Sequence, residues 1–353
     1  MKNLSRSEFL KLCAGSAAAV GISQMYVPEV AKALAGAEGN PPVIWIQAAS
    51  CTGCSVSLLN SVHPAIKEVL LDIISLKYQP NVSAATGDMA VQAIEKTAKE
   101  NPGKFYLVVE GAVPTAENGI YCTVGERDGK PITALQWIQE LSKQAAAVLS
   151  VGACSSFGGV PSAKPNPTGC KPVSEIVKDT PVINIPGCPP HPDWIIGTIA
   201  HVLLYGMPEL DNFKRPKMFF GEKNIIHDNC PRRQYFDNGI IAKNLSDPGC
   251  LIQLGCKGPI TQADCPTRQW NSGVNWCIKA GSPCIGCCNP GFPEQTSPIY
   301  KQLPDIKVPG FTSTANTIGK VALGATAVGL GAHAVGTIAR KKDSKNEDDG
   351  GKN

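Results

Sequence analysis

The segment NWCIKAGSPCIGCCNP, Asn275 to Pro290, places Cys277, Cys284, Cys287 and Cys288 within a dozen residues. Turns rich in Gly and Pro escape helical restraint, so several sulfurs can converge there on one metal ion or cluster. The chain has 15 cysteines in 353 residues, with 35 glycines and 29 prolines. An odd count in a chain this long does not describe a disulfide framework, which belongs to small secreted domains. Ligation is the better reading of thiols that cluster beside turn residues.

Other thiols stand apart in sequence and need elements to gather them. Apolar runs predict strands at Val43–Gln47, Asp72–Tyr78, Lys104–Gly111, Ala146–Ala153 and Pro181–Gly187. Amphipathic stretches near Val56–Leu71, Met89–Lys99 and Ala134–Ala145 predict helices between them. Strands alternating with helices imply an α/β fold with a doubly wound parallel sheet. Such sheets bind ligands outside the carboxyl ends of their strands. Cys51 and Cys54 follow the first strand, Cys154 the fourth and Cys188 the fifth. Four thiolates arriving from three loops suit a cubane iron–sulfur cluster. Cys₄ zinc is the alternative, but structural zinc usually takes two compact pairs of ligands.

From about Phe219 the strand–helix alternation gives way to short turns, which predicts a second, irregular domain held by metal sites as much as by a core. Eight cysteines lie there: Cys230, Cys250, Cys256, Cys265, Cys277, Cys284, Cys287 and Cys288. His227 stands three residues before Cys230, so imidazole and thiolate can share one centre. His227, Cys230, Cys250 and Cys256 make one set. Cys265 with the C-x-x-C pair Cys284 and Cys287 makes another, of three or four.

A composition of 43% hydrophobic and 18% charged residues allows a sizeable core and two domains with appendages. A formal charge of +4 is too mild to indicate nucleic acid, and no basic run is interleaved with aromatics in the body.

Both ends carry address-like segments. Lys2, Arg6 and Lys11 precede a weakly apolar stretch and small-residue steps at Ala33, Ala35 and Ala37, as in an export signal. SRSEFLK resembles the twin-arginine signal, with Ser7 in place of the second arginine. Val321–Ala339 is uncharged and, as a helix, just long enough to cross about 30 Å of hydrocarbon. Arg340, Lys341 and Lys342 follow and place that end in the cytoplasm. His333 inside this run is a functional candidate by position, or a packed helix-interface residue.

The motifs CTGC, GACSSFGGVPSAKPNPTG, PGCPPHPDW, HDNCP, LGCKGPITQADC and CIGC, in this order, resemble the small subunit of a membrane-anchored periplasmic nickel–iron hydrogenase. CTGCSVSLLN and NWCIKAG bring the resemblance nearest to the nickel–iron–selenium branch. The resemblance implies a flavodoxin-like domain with a proximal [4Fe-4S] cluster on Cys51, Cys54, Cys154 and Cys188. It implies a distal [4Fe-4S] cluster on His227, Cys230, Cys250 and Cys256, and a medial cluster on Cys265, Cys284 and Cys287. Most members have proline at the position of Cys277 and a [3Fe-4S] medial cluster. Cys277 supplies a fourth thiolate, so all three clusters are expected to be [4Fe-4S], with the medial one [3Fe-4S] if Cys277 does not ligate. Gly53 and Gly159 stand where some oxygen-tolerant members carry extra cysteines, which implies an ordinary proximal cubane. Ser50 replaces an acidic residue of many relatives.

The expected organisation is a signal at 1–37, a flavodoxin-like domain at 41–215, an irregular cluster domain at 216–300, a linker at 301–320, a transmembrane helix at 321–339 and a cytoplasmic tail at 340–353. The expected function is electron relay between a large subunit bearing the nickel–iron site and an outside acceptor, at the periplasmic face of the membrane. That acceptor would be a periplasmic cytochrome c or a membrane cytochrome b or quinone-reducing subunit. No residue of this chain is expected to be a catalytic acid, base or nucleophile. The competing classes are a non-hydrogenase iron–sulfur subunit of a respiratory complex and a zinc-stabilised scaffold. Cys13, Cys122, Cys170 and Cys288 receive no role, and Cys288, directly after a ligand, is expected to point away from the cluster.

Overall fold

Short runs rich in Val and Ile form the central sheet of the computed structural model, which describes residues 40–296 apart from His63, with 306–308, 311–313, Thr326 and His333. The strands are β1 (Pro42–Gln47), β2 (Ser75–Tyr78), β3 (Tyr106–Glu110), the hairpin β4 (Thr123–Arg127) and β5 (Lys130–Thr133), β6 (Ala147–Val151) and β7 (Val182–Ile185). The order β2-β1-β3-β6-β7 is parallel throughout, with β4–β5 set apart. Leaving out the hairpin, this is the flavodoxin-like order.

Pairing runs Gln47 with Glu110, Glu110 with Val151 and Val151 with Ile185. Four strands therefore finish level, and whatever follows them emerges along one edge.

Alternate strand residues face opposite sides. Val43, Trp45, Val108, Leu149 and Ile183 pack with α1 (Gly53–Leu59) and a long helix, Pro192–Tyr205. Ile44, Ile46, Leu107, Val109 and Val148 pack with α2 (Gly87–Glu100) and α3 (Ala134–Ser142). The short α4 (Ala153–Phe157) follows β6, and the long helix, α5, follows β7. A Thr133–Gln136 capping box starts α3, satisfying backbone donors that the helix itself cannot.

The helix expected over Val56–Leu71 is instead broken. α1 stops at Leu59, and helical structure resumes only at Ile66, ending in a wide turn at Val69–Ile73. Pro64 lies between; it has no N–H to continue the ladder, and its ring clashes with the preceding turn. That wide turn also delays β2 to Ser75.

Beyond Phe219 the helices are single turns, yet the core continues. Phe219, Phe220, Leu251, Leu254, Trp276 and Ile278 join the same apolar cluster as Trp45 and Ile183. Two arginines, Arg215 buried and Arg268 half-buried, add polar ties. Arg215 reaches Asp211 at 2.8 Å, Gln262 at 2.8 Å and the carbonyl of Cys288 at 3.0 Å. Arg268 bridges Asp193 at 2.9 Å and Asp264 at 2.6 Å. The described residues through Thr296 belong to one compact unit.

A second unit begins at Gln302 and contains the hairpin Ile306–Val308 and Phe311–Ser313. The expected export signal lies outside the described residues. So does the expected membrane span, apart from Thr326 and His333, which are both helical. Among the described residues no helix is long and apolar enough to cross a membrane.

Candidate metal centres

The level strand ends deliver thiols to one edge. Cys51 and Cys54 follow β1, with Thr52 between them in the left-handed region at φ 69°. Cys154 lies in the first turn of α4, and Cys188 comes three residues after β7. Burial pushes the Cys54 thiol far up, and the charges of Glu110, Cys154, Cys51 and Cys188 push it further. Cys188 is pushed up to about 12 by burial, then by Cys287, Cys154 and Cys51. The four thiols share one neighbourhood, and as thiolates they would repel one another. Such a set calls for a cationic centre.

Backbone approaches the thiols where a side chain would not fit. A Cβ on Gly152, at φ 98°, would stand 2.5 Å from Cys54 Sγ. One on Gly159, at φ 52°, would stand 2.9 Å from Cys154 Sγ. Glycine alone adopts these φ values without strain.

In the irregular part the amides turn back onto the sulfurs. The N–H of Arg232 donates to Cys230 Sγ at 3.4 Å. The backbones of Ile252, Gly258 and Gly286, each two residues beyond its thiol, act to lower the pKa of Cys250, Cys256 and Cys284 against the rise from burial. Backbone that favours a thiolate favours the form of cysteine that ligates iron. The donor set therefore fits clustered iron.

Cys265 is raised by burial, then by Cys287, Asp264, Cys284 and Cys277. Cys277 is raised by burial and then by Cys287. The structure thus brings Cys277 into the neighbourhood of Cys265, Cys284 and Cys287. Cys230 is raised by burial, then by Cys256 and Cys250, and Cys250 by burial and then by Cys256. His227 joins them through its backbone: its N–H donates to Gly258 O at 3.2 Å and its carbonyl accepts from Cys230 at 3.3 Å. Its ring packs edge-on against Phe236, with centroids 4.7 Å apart. Burial and then Arg233 lower its pKa, which favours the neutral imidazole that ligates metals.

Among the described residues no group of three or more His, Cys, Asp or Glu is gathered to hold a single metal ion.

The sequence is 47% identical over 314 residues to the periplasmic [NiFeSe] hydrogenase small subunit of Desulfomicrobium baculatum, covering 84% of this chain and 99% of that one. The chain belongs to the nickel–iron hydrogenase small-subunit family. It is therefore the electron-transfer subunit of an H₂ oxidoreductase. The uptake hydrogenase small subunit of Azotobacter vinelandii is 38% identical over 354 residues, 98% of this chain and 96% of that one. The solved [NiFeSe]-hydrogenase of Dm. baculatum, H₂-activated after anaerobic purification, matches with a TM-score of 0.72 at 46% identity, covering 75% of this chain and 100% of the other. Residues 223–300 match the family formed by the C-terminal part of NiFe/NiFeSe hydrogenase small subunits, and residues 51–202 match the NADH ubiquinone oxidoreductase 20 Kd subunit family. The first of these matches is what a respiratory-complex subunit alone would lack.

Two features of this hydrogenase subunit are not evident from its sequence. Glu110, fully buried at the end of β3, accepts from Cys54 N at 3.1 Å, Ser55 N at 3.4 Å and Ser55 Oγ at 2.5 Å. It also accepts from Trp45 Nε1 and Gln47 Nε2, both at 3.1 Å. The signal was a lone charge closing an apolar strand, VVEG. Cys288 does not point away from the thiols as expected: its Sγ lies 3.9 Å from Cys287 Sγ. Cys122 and Cys170 are neighbours, Cys122 being raised by burial and then by Cys170. Cys13 lies outside the described residues.

Proposed function

We propose that this subunit holds three iron–sulfur centres in series and delivers electrons from a large-subunit nickel–iron site to an acceptor outside the heterodimer. Cys51, Cys54, Cys154 and Cys188 hold the proximal [4Fe-4S] centre. Cys265, Cys277, Cys284 and Cys287 hold a medial one, also [4Fe-4S]. His227, Cys230, Cys250 and Cys256 hold the distal one. When bound, the clusters supply one-electron carriers whose potentials are set by ligand type, burial and hydrogen bonds to sulfur.

One observation carries the serial order. Cys188 and Cys287 are close enough for the charge of Cys287 to push the Cys188 thiol up, and the N–H of Cys284 donates to Cys256 Sγ at 3.4 Å. Each pair joins a member of one set to a member of the next, so the medial set touches both its neighbours. The amides and Arg215 and Arg268 fix these loops, which keeps reorganisation on electron transfer small.

The division of labour follows the two family matches, with a sheet domain at 41–215 for the proximal set and an irregular part at 216–300 for the others. Export to the periplasm accords with the periplasmic relative from Dm. baculatum. A membrane anchor at 321–339 is favoured by the match to the Azotobacter protein, which leaves too little of this chain unmatched to omit that segment. The tail at 340–353 is then cytoplasmic, and a membrane cytochrome b or quinone-reducing subunit is the fitting acceptor, with a periplasmic cytochrome c as the soluble counterpart. Purification of the tagged chain, with metal and sulfide analysis, tests this reading. It should bring down a nickel-containing partner and carry about twelve irons in its own clusters, four per cubane. Zinc in place of iron, or no nickel partner, would contradict it.

A further inference from the structure

Cys288 is a buried thiol that the three ligand sets do not use. It is 1% exposed, and its carbonyl is held at 3.0 Å by Arg215, itself 1% exposed and pinned on Asp211 and Gln262. The main chain here has no freedom to carry the side chain elsewhere. Its sulfur has two polar neighbours, Cys287 Sγ at 3.9 Å and Pro186 O at 3.9 Å. Pro186 lies two residues before Cys188, so this thiol sits between the proximal and medial sets.

A Cys287 sulfur bound to iron has no proton, which leaves Cys288 as the only possible donor of the pair. Its choice is between a neutral carbonyl and a thiolate. Hydrogen bonds to charged acceptors are roughly twice as strong as neutral ones, so the thiolate wins. We propose that the Cys288 S–H donates to Cys287 and raises the reduction potential of the medial centre. This rests on Cys287 being a medial ligand, as proposed above. A donor to a ligating sulfur stabilises the more negative, reduced form of its centre. The Cys288 donor is one that substitution can remove.

The test is a redox titration of the intact heterodimer, followed by paramagnetic resonance, in wild type, Cys288→Ala and Cys288→Ser. Iron and sulfide are counted first. A wild type lacking a medial centre would remove the ligand assignment itself, whatever Cys288 does. With loading equal, Cys288→Ala should lower the reduced-to-oxidised ratio of the medial centre about threefold at fixed potential, or about 28 mV at 59 mV per decade. Cys288→Ser, which keeps a donor, should recover part of the shift, and the proximal and distal centres should not move. An unchanged medial potential, or an equal shift in all three centres, overturns the proposal. If Cys288→Ala fails to load, the wild-type S–H infrared band decides. A band that moves on medial reduction supports donation to Cys287; one that stays fixed places the proton on Pro186 O and overturns it.

Discussion

The backbone N–H of Cys284 donates to Cys256 Sγ at 3.4 Å. Two cysteines 28 residues apart, from different ligand sets, are thereby joined by one amide-to-sulfur hydrogen bond. The amide that follows Pro283 is spent on a neighbour's sulfur, so the loop bearing Cys284 cannot shift without disturbing the other set. Potentials of the two centres should respond together to changes in this loop.

Cys277 determines the character of the relay. Cys277→Pro should convert the medial centre to a three-iron form, giving a sharp paramagnetic signal on oxidation and a higher medial potential. The proximal and distal centres should keep their potentials. Potentiometric titration of the variant measures all three.

Gly152→Ala should cost the proximal centre. The added Cβ would stand 2.5 Å from Cys54 Sγ, at a φ of 98° that strains any other residue. Strain of this kind is of order 1–3 kcal/mol before the clash is counted. Iron analysis should show a loss of about four irons per heterodimer, one cubane, with the medial and distal signals retained.

Glu110→Gln should destabilise the protein by about 1–3 kcal/mol, because an amide NH₂ would then face donors that now meet a carboxylate. It also removes a negative charge beside Cys54, so the proximal potential should rise. Melting temperature reads the first effect and redox titration the second.

His191 should make the protein sensitive to acid. Its Nδ1 accepts the N–H of Asp193 at 3.0 Å, so Nε2 carries the proton and donates to Gln269 O at 2.8 Å. Burial lowers its pKa from 6.5, against the pull of Asp193. A depressed folded-state pKa means that stability is present above 6.5 and is lost as pH falls through the folded value. The loss can reach at most about 1.4 kcal/mol per pH unit. Melting temperature should fall more steeply below pH 6.5 in wild type than in His191→Gln.

The sheet was legible because its strands are short apolar runs, and the edge because the first, fourth and fifth of the predicted runs lead through a few residues into a cysteine. Other elements gave weaker signals. β4 and β5 are polar, so their alternation is hidden, although Asp128 and Gly129, at φ 54° and 70°, form a standard hairpin turn. Pro64 could have divided the first helix on sequence alone, but the apolar periodicity runs on past it. Amides that return to sulfur two residues later leave no trace in residue type, since any amino acid but proline supplies them. The orientation of Cys288 depends on Arg215, 73 residues away, and only coordinates bring the two together.

Cutting the chain near Thr314 should release the cluster-bearing body into the soluble fraction, since every proposed ligand lies at or before Cys287. Fractionation of cells expressing the truncated chain checks this. Tight membrane binding of the truncated heterodimer, with no other anchored partner, would count against an anchor at 321–339.

The central claim is that twelve side chains, Cys277 and His227 among them, hold three four-iron centres. Mössbauer spectroscopy of ⁵⁷Fe-enriched, anaerobically prepared heterodimer tests it most directly. Apart from the partner's active-site iron, all iron should appear as [4Fe-4S] components totalling about twelve atoms per small subunit. A stoichiometric three-iron component in unmodified enzyme, or a total near four, would contradict it.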